Sequence, residues 1–144
     1  MASPSQAHRD RLFFRLQRVA HRLRKRADQA MVEAGGITVA QAAALGIIAG
    51  ADNVTQRHVA RTLGINESAM TTMVLRLEAL GLVTRERSRE DSRAMMLKLT
   101  DVGALALDRA RNAFDAINAA IDAQFDDAES AALVARLDRL WDAL

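Results

Sequence analysis

The 144-residue sequence contains no cysteine, no tyrosine and a single proline, and only 3% of its residues are aromatic. Without cysteine there is no disulfide bond, no thiolate zinc site and no sensing by thiol oxidation. The core must therefore be built from the aliphatic residues and methionine that dominate the 50% apolar fraction. No apolar run is long enough to span a bilayer, and the first residues carry no signal-peptide block. We expect one cytoplasmic domain that does not enter a membrane.

The patterns typical of enzymes are also missing. The sequence has no glycine-rich phosphate loop, no evident pair of catalytic carboxylates and no nucleophile motif. Its three histidines, His8, His21 and His58, have a spacing that does not suggest a metal site. We therefore predict no catalytic residue, no metal and no cofactor.

The formal net charge of +2 conceals an uneven distribution of charge along the chain. Residues 1–100 carry 16 Lys and Arg against 9 Asp and Glu, whereas residues 101–144 carry 4 against 9. This pattern is expected of a protein that turns only one part of its surface toward a polyanion.

Long amphipathic helices are predicted at both ends of the chain. The first covers residues 8–33 and follows residues 1–6, which contain Pro4 and are expected to be frayed. Its apolar stripe has helical period and its opposite face is basic. Such a face can bind a membrane surface or a calmodulin-type partner, although a charged helix face is more often solvated.

The C-terminal helices are predicted over residues 101–124, after an N-cap at Thr100, and from the capping box Asp126–Glu129 onward. Their stripes, like that of the first helix, are too long for one small lobe to cover, so we expect a homodimer. The residues predicted to form the dimer interface are Leu12, Leu16, Phe114, Ile117, Ile121, Leu133, Leu137, Leu140 and Trp141.

Three shorter helices are predicted between these ends. A capping box of Thr38 and Gln41 opens a helix over residues 40–49, with Leu45, Ile48 and Ala49 facing inward. Thr55 caps a helix over residues 56–63, and Asn66 caps one over residues 67–80. The inward side of the last helix is predicted to be Met70, Met73, Val74, Leu77 and Leu80.

The segment that follows reads as two strands of a hairpin, residues 82–85 and 94–99, after a helix-ending Gly81. Its tip holds Arg87, Arg89 and Arg93. A helix-turn-helix followed by an arginine-rich ribbon is a known way to place one helix in the DNA major groove and a cation beside it. Asp91 fits a supporting role, because its carboxylate can accept from loop amides or pair with Arg93.

The helix-turn-helix and ribbon give a set of predicted DNA contacts. Small hydroxyl side chains near the start of the helix over residues 67–80 permit close approach to base edges, and an arginine one turn later reaches further. The predicted DNA-binding residues are Thr55, Gln56, Arg57, Ser68, Thr71, Thr72, Arg76, Arg87, Ser88, Arg89 and Arg93.

With these residues in place, the chain resembles the MarR family of transcriptional regulators from about residue 10 to its end. The matching segments are Thr38–Gln41, Thr55–Gly64, Ser68–Thr71 with Arg76–Glu78, Gly81–Arg85, Asp91–Arg93 and Leu99–Gly103. The resemblance implies a mainly α fold with a small β-hairpin wing. It places a winged helix-turn-helix lobe at about residues 37–99 and dimerisation helices at about residues 8–34 and 101–144.

The same resemblance implies a homodimer that binds an inverted-repeat operator in double-stranded DNA. It also implies a repressor released by a small effector such as an aromatic acid or phenol, whose binding residues stay open. Two positions differ from the family's frequent pattern, because Thr72 and Ser92 stand where arginine is common. Both changes remove a cation and affect affinity or operator preference. The alternative is a helical dimeric interaction module whose winged lobe no longer binds DNA.

Overall fold

The computed structural model describes residues 4–144, with side chains described from residue 11 onward. Six helices and three short strands follow one another in this part of the chain. They are α1 Pro4–Gly35, α2 Val39–Ala49, β1 Val54–Thr55, α3 Gln56–Leu63, α4 Glu67–Ala79, β2 Val83–Arg87, β3 Met95–Leu99, α5 Asp101–Asp122 and α6 Asp127–Asp142.

The start of α1 differs from the sequence prediction. The helix already includes Pro4, within the segment that was expected to be frayed. Proline suits the first helical position, because its missing N–H would have no intrahelical partner there and its φ is already helical.

Side-chain caps begin five of the helices. The predicted capping box at α2 is present, with Thr38 accepting from the amide of Gln41 and the Gln41 side chain accepting from the amide of Thr38. The box at α6 has the same form between Asp126 and Glu129. Single caps stand at the predicted positions of α3, α4 and α5, where the accepting side chains are Thr55, Asn66 and Thr100.

The sheet has three antiparallel strands in the order β1-β3-β2, rather than the two strands of the predicted hairpin. The additional strand β1 contains only two residues, and Val54 lies opposite Leu97 of β3. A strand of this length is too short to show an alternation of apolar and polar residues, so periodicity does not predict it. Its consequence is that α3 starts directly from the sheet, beside the wing.

One core lies beneath α2, α3, α4 and the sheet. Leu45, Val59, Met70, Val74 and Leu77 are fully buried in it. Two residues predicted to face inward are exposed instead, Ala49 at the end of α2 and Leu80 after the end of α4. The chain leaves the helical path at both places, and Gly81 turns it with a φ of 72°.

Close backbone approaches attach α5 to α1 and to this lobe. A Cβ atom at Gly35 would lie 2.6 Å from the carbonyl oxygen of Ala106, and one at Gly103 would lie 2.0 Å from that of Leu82. The Leu82 carbonyl also accepts a hydrogen bond from the Thr100 amide at 3.1 Å. The start of α5 is thereby fixed against Leu82, the residue before β2.

The outer helices, α1 and α6, leave most of their apolar stripes uncovered. No residue of α6 is buried, and Trp141 is 82% exposed. On α1 only Ala27 and Met31 of the predicted stripe are buried, whereas Leu12 is 54% exposed.

Candidate nucleic-acid interface

The first turns of α3 and α4 and the inner side of the wing open onto one surface cleft. The cleft has a volume of about 470 Å³ and stands open to solvent. Helix N-termini carry partial positive charge and unpaired amide donors, so two of them at one cleft favour an anionic partner. The residues that line it are Thr55, Gln56, Arg57, Ala60, Glu67, Met70, Thr71, Asp91, Arg93, Ala94 and Met95.

The exposed face of α4 presents Ser68, Thr71, Thr72 and Arg76. The Thr71 hydroxyl donates to the carbonyl of Glu67 at 2.8 Å, and the Thr72 hydroxyl donates to that of Ser68 at 3.2 Å. These bonds within the helix restrict both side chains to one rotamer. Each hydroxyl therefore presents its oxygen in a fixed direction.

The start of α3 supports that surface directly. The Gln56 side-chain amide donates to the Thr71 hydroxyl oxygen at 2.9 Å, which ties the two helices together across the turn. Thr55 has a different role, because its hydroxyl accepts from the amide of His58 at 3.1 Å and caps α3. The half-buried Thr55 lines the cleft, and its hydroxyl is engaged in the cap of α3.

An ion pair joins the same two helix starts within the lining of the cleft. Arg57 Nε lies 3.3 Å from Glu67 Oε1, and both side chains are more than 70% exposed. Glu67 is not among the residues predicted from the sequence to contact DNA. Its place beside a predicted DNA-contacting arginine follows from the packing of α3 on α4, and no motif in the sequence encodes it.

The wing is a short loop held by its own hydrogen bonds. Asp91 accepts from the amide of Arg93 at 2.9 Å, which is one of the two roles predicted for it. Among the described ion pairs there is none between Asp91 and the Arg93 guanidinium, the other predicted role. Ser88, predicted to contact DNA, is half-buried and its hydroxyl accepts from the amides of Glu90 and Asp91. Its hydroxyl therefore shapes the loop.

The three wing arginines are exposed but do not share one location. Arg93 lines the cleft, whereas Arg87 and Arg89 lie outside it. Arg85, which the sequence reasoning did not select, donates to Glu78 of α4 at 2.9 Å and is partly buried. This contact fixes the wing against α4. Of the twelve residues predicted to contact DNA or to support the wing, six line the cleft. The six that lie outside its lining are Ser68, Thr72, Arg76, Arg87, Ser88 and Arg89.

The aromatic side chains of α1 lie on the surface. Phe13 and Phe14 are 57% and 62% exposed, and their rings meet edge to face with centroids 5.5 Å apart. His21 is exposed on the same helix. None of the three lines the cleft.

The part of the chain that the structure describes offers neither a metal site nor a single helix that could span a membrane. No group of three or more His, Asp or Glu side chains in that part of the chain is placed to hold a metal ion. No single helix there is long and apolar enough to cross a membrane, although the bent pair formed by residues 11–35 and 39–49 meets that criterion when taken together.

Comparison with known proteins gives the same picture from a different direction. A family model described as MarR family matches residues 35–94, which include every residue that lines the cleft except Met95. The organic hydroperoxide resistance transcriptional regulator of Bacillus subtilis is 35% identical over 74 residues, 51% of this chain and 50% of that protein. A protein named for transcriptional regulation of the hcr operon in Thauera aromatica is 30% identical over 106 residues, 74% of this chain and 64% of that protein.

Among solved structures, the transcriptional repressor CouR bound to a 23-mer DNA duplex superposes with a TM-score of 0.80 at 28% identity. The match covers 90% of this chain and 91% of that one. By contrast, the chain spans only about half to two-thirds of the length of the two sequence relatives.

Proposed function

The chain belongs to the MarR family of transcriptional regulators, and from this membership we propose that it is a sequence-specific DNA-binding regulator acting as a homodimer. The named relatives are regulators rather than enzymes. The observation that carries the proposal is the cleft where two helix N-termini and the wing arginine Arg93 meet an exposed, hydroxyl-bearing helix.

The proposed division of labour follows the chemistry of the exposed groups. Arg93 is an exposed guanidinium on a projecting loop, suited to phosphates or to the minor groove, where negative potential is concentrated. Thr71 and Arg76 lie on the exposed face of α4, the helix that enters the major groove in this fold. The wing thus supplies affinity and α4 supplies sequence preference.

The exposed surface of the chain supports the homodimer. One chain exposes 10997 Å², whereas a compact monomer of 15.7 kDa exposes about 7,300 Å². Much of the excess lies on the outer helices, whose leucines and Trp141 face solvent. Interfaces of obligate dimers bury roughly 2,000–5,000 Å² in total, or about 1,000–2,500 Å² on each chain, so a second copy accounts for a large part of this excess.

A twofold dimer fixes the form of the DNA site. It places the two α4 helices about 34 Å apart, one turn of the duplex, and so requires an inverted repeat. The regulator acts where DNA is, in the cytoplasm, and the relative CouR is described as a repressor. Repression at such an operator is therefore the mode we propose.

Release from the operator is proposed to follow binding of a small acidic or phenolic effector. A thiol-based response is excluded because the sequence has no cysteine. Thermal-shift screening against aromatic acids, phenols and their thioesters, followed by assays of operator release, identifies the ligand. A compound that raises the melting temperature without releasing DNA would contradict its role as the effector.

The experiment that tests DNA binding is a salt titration with random-sequence duplex. Phosphate contacts release counterions, so the logarithm of the binding constant should fall steeply and linearly with the logarithm of salt concentration. Binding that is flat with salt, or absent at low salt, would instead support the alternative function, a dimeric interaction module with a lobe that has lost DNA binding.

A further inference from the structure

The cleft that faces DNA in the proposed function holds balanced charge. Two arginines, Arg57 and Arg93, line it together with two carboxylates, Glu67 and Asp91. Asp91 is explained by its hydrogen bond to the amide of Arg93 inside the wing. The Glu67 carboxylate is 74% exposed, and its described ion pair is with Arg57.

The position of the ion pair explains why the two side chains meet. Arg57 is the second residue of α3, at a helix end whose partial charge is also positive. A cation there is stabilised by an external anion, and Glu67 at the start of α4 provides one at 3.3 Å. Both side chains are exposed, so the pair contributes little to folding stability. The pair instead affects the binding of an anion that enters the cleft.

From this geometry we infer that Glu67 is a specificity-determining residue, which withholds Arg57 from phosphates unless the base beside α4 offers an amino group. The inference rests on the proposed function. On unrelated DNA sequences Arg57 stays paired with Glu67, and the Glu67 carboxylate repels the phosphate backbone of the DNA. On the correct half-site Arg57 exchanges Glu67 for a phosphate oxygen, and the carboxylate accepts a hydrogen bond from cytosine N4 or adenine N6 in the major groove.

Two features of the site make the exchange feasible. The pair is exposed, so Arg57 changes partner without moving any buried group. The backbone beneath Glu67 stays in place, because its carbonyl accepts from Thr71, whose hydroxyl is in turn held by Gln56. Only the two charged side chains have to rotate.

The test compares Glu67→Gln with the wild-type full chain on two probes. One is a random-sequence duplex, and the other is the tightest inverted repeat that the wild type selects from a randomised duplex pool. Affinities are measured between roughly 50 and 200 mM salt. Random-duplex binding should tighten roughly fivefold to tenfold near 0.1 M salt, with a slope steeper by about 0.9, as one more phosphate is neutralised. Selected-site binding should change less, so the specificity ratio falls.

Two further variants assign the effect to Arg57. In an Arg57→Gln background, Glu67→Gln should no longer tighten binding to random duplex, because the cation it releases is absent. Asp108→Asn is the matched control, since it adds the same charge and frees Arg111 from an exposed ion pair on α5. It should leave both affinities near the wild-type values. Melting temperatures verify that each variant is folded.

The outcomes separate this inference from the proposed function. Wild-type protein that binds no duplex at any salt concentration overturns both. Wild-type protein that selects a site, with a Glu67→Gln variant whose random-duplex affinity is unchanged or weaker, overturns the role of Glu67 alone. Tightening that persists without Arg57 also overturns it.

Discussion

At the scale of single residues, the groups that touch DNA in the proposed function differ in how firmly they are held. Thr71 is fixed by hydrogen bonds to Gln56 and to the Glu67 carbonyl. Arg93 is exposed, and the described contact at this residue is its backbone amide with Asp91. A fixed group suits recognition of base edges, and a mobile cation suits phosphates of any sequence.

Replacing Arg93 with alanine should weaken binding to every duplex and reduce the salt slope by about 0.9, the loss of one phosphate contact. Thr71→Val should leave that slope unchanged and alter which half-site is preferred, because it removes only the fixed hydroxyl. Fluorescence anisotropy across salt, with a set of single-base site variants, measures both quantities. Arg109→Ala, an exposed arginine on α5, is the control. Equal losses of affinity on all sequences for Arg93→Ala and Thr71→Val would contradict this division between affinity and sequence preference.

Glycine positions give a prediction about stability that does not involve DNA. Gly103→Ala should destabilise the protein by about 1–3 kcal/mol, as overpacking does, because the new Cβ would lie 2.0 Å from the Leu82 carbonyl oxygen. Gly46→Ala is the matched variant inside α2, where nothing lies within 4 Å of the new Cβ. It should stabilise by about 0.5–1 kcal/mol. Urea denaturation distinguishes them, and equal stability of the two variants would refute the close approach.

At the scale of elements, each helix of the lobe begins at a side-chain cap and packs its apolar face on one core. α4 is also held from two sides, by α3 through Gln56 and by β2 through the Arg85–Glu78 pair. These contacts set the angle at which its exposed face meets a partner. The orientation of the recognition helix is thus a property of the lobe and not of α4 alone.

Removing the cap of that helix should affect both folding and binding. Asn66 accepts from the amide of Ala69 at 2.8 Å, and Asn66→Ala should lower the free energy of unfolding by about 1 kcal/mol. DNA affinity should fall as well, since the first turn that carries Ser68 becomes frayed. Asn66→Ser retains a side-chain acceptor, so it should retain most of the stability and most of the DNA affinity. A variant with lower stability and unchanged affinity would show that the first turn is not part of the interface.

Elements with a local chemical cause were predictable from the sequence, and those with a tertiary cause were not. The caps at Thr38 and Asn66 and the left-handed turn at Gly81 depend only on neighbouring residues, and all three were predicted. The strand β1 exists because Val54 meets Leu97, more than forty positions away. The Arg57–Glu67 pair likewise arises from packing of one helix on another, which no single segment specifies.

At the scale of the molecule, the lone chain leaves the apolar faces of its outer helices uncovered. Its lobe has a buried core, whereas the outer helices leave large side chains such as Leu137 and Leu140 about 40% exposed. The charge is also uneven along the chain, with the basic excess before residue 101, much of it on α1, and the acidic excess after it. A homodimer that buries the apolar faces of the outer helices and presents the lobes to DNA accounts for the uncovered side chains.

Leu137→Glu should therefore dissociate the dimer or shift its dissociation constant by at least about tenfold, because a buried charge in an apolar interface is strongly unfavourable. Ala135→Glu lies on the opposite face of α6, is also exposed, and should leave the dimer intact. Sedimentation velocity at several concentrations measures the assembly. Two variants that sediment alike would contradict the assignment of this face to the interface.

The most direct measurement of the central claim is the stoichiometry and spacing dependence of binding to the selected inverted repeat. Native mass spectrometry should find two chains per duplex. Insertion of about five base pairs between the half-sites, half a helical turn, should abolish the specific complex by placing the second half-site on the opposite side of the duplex. One chain per duplex, or affinity indifferent to the insertion, would contradict the account.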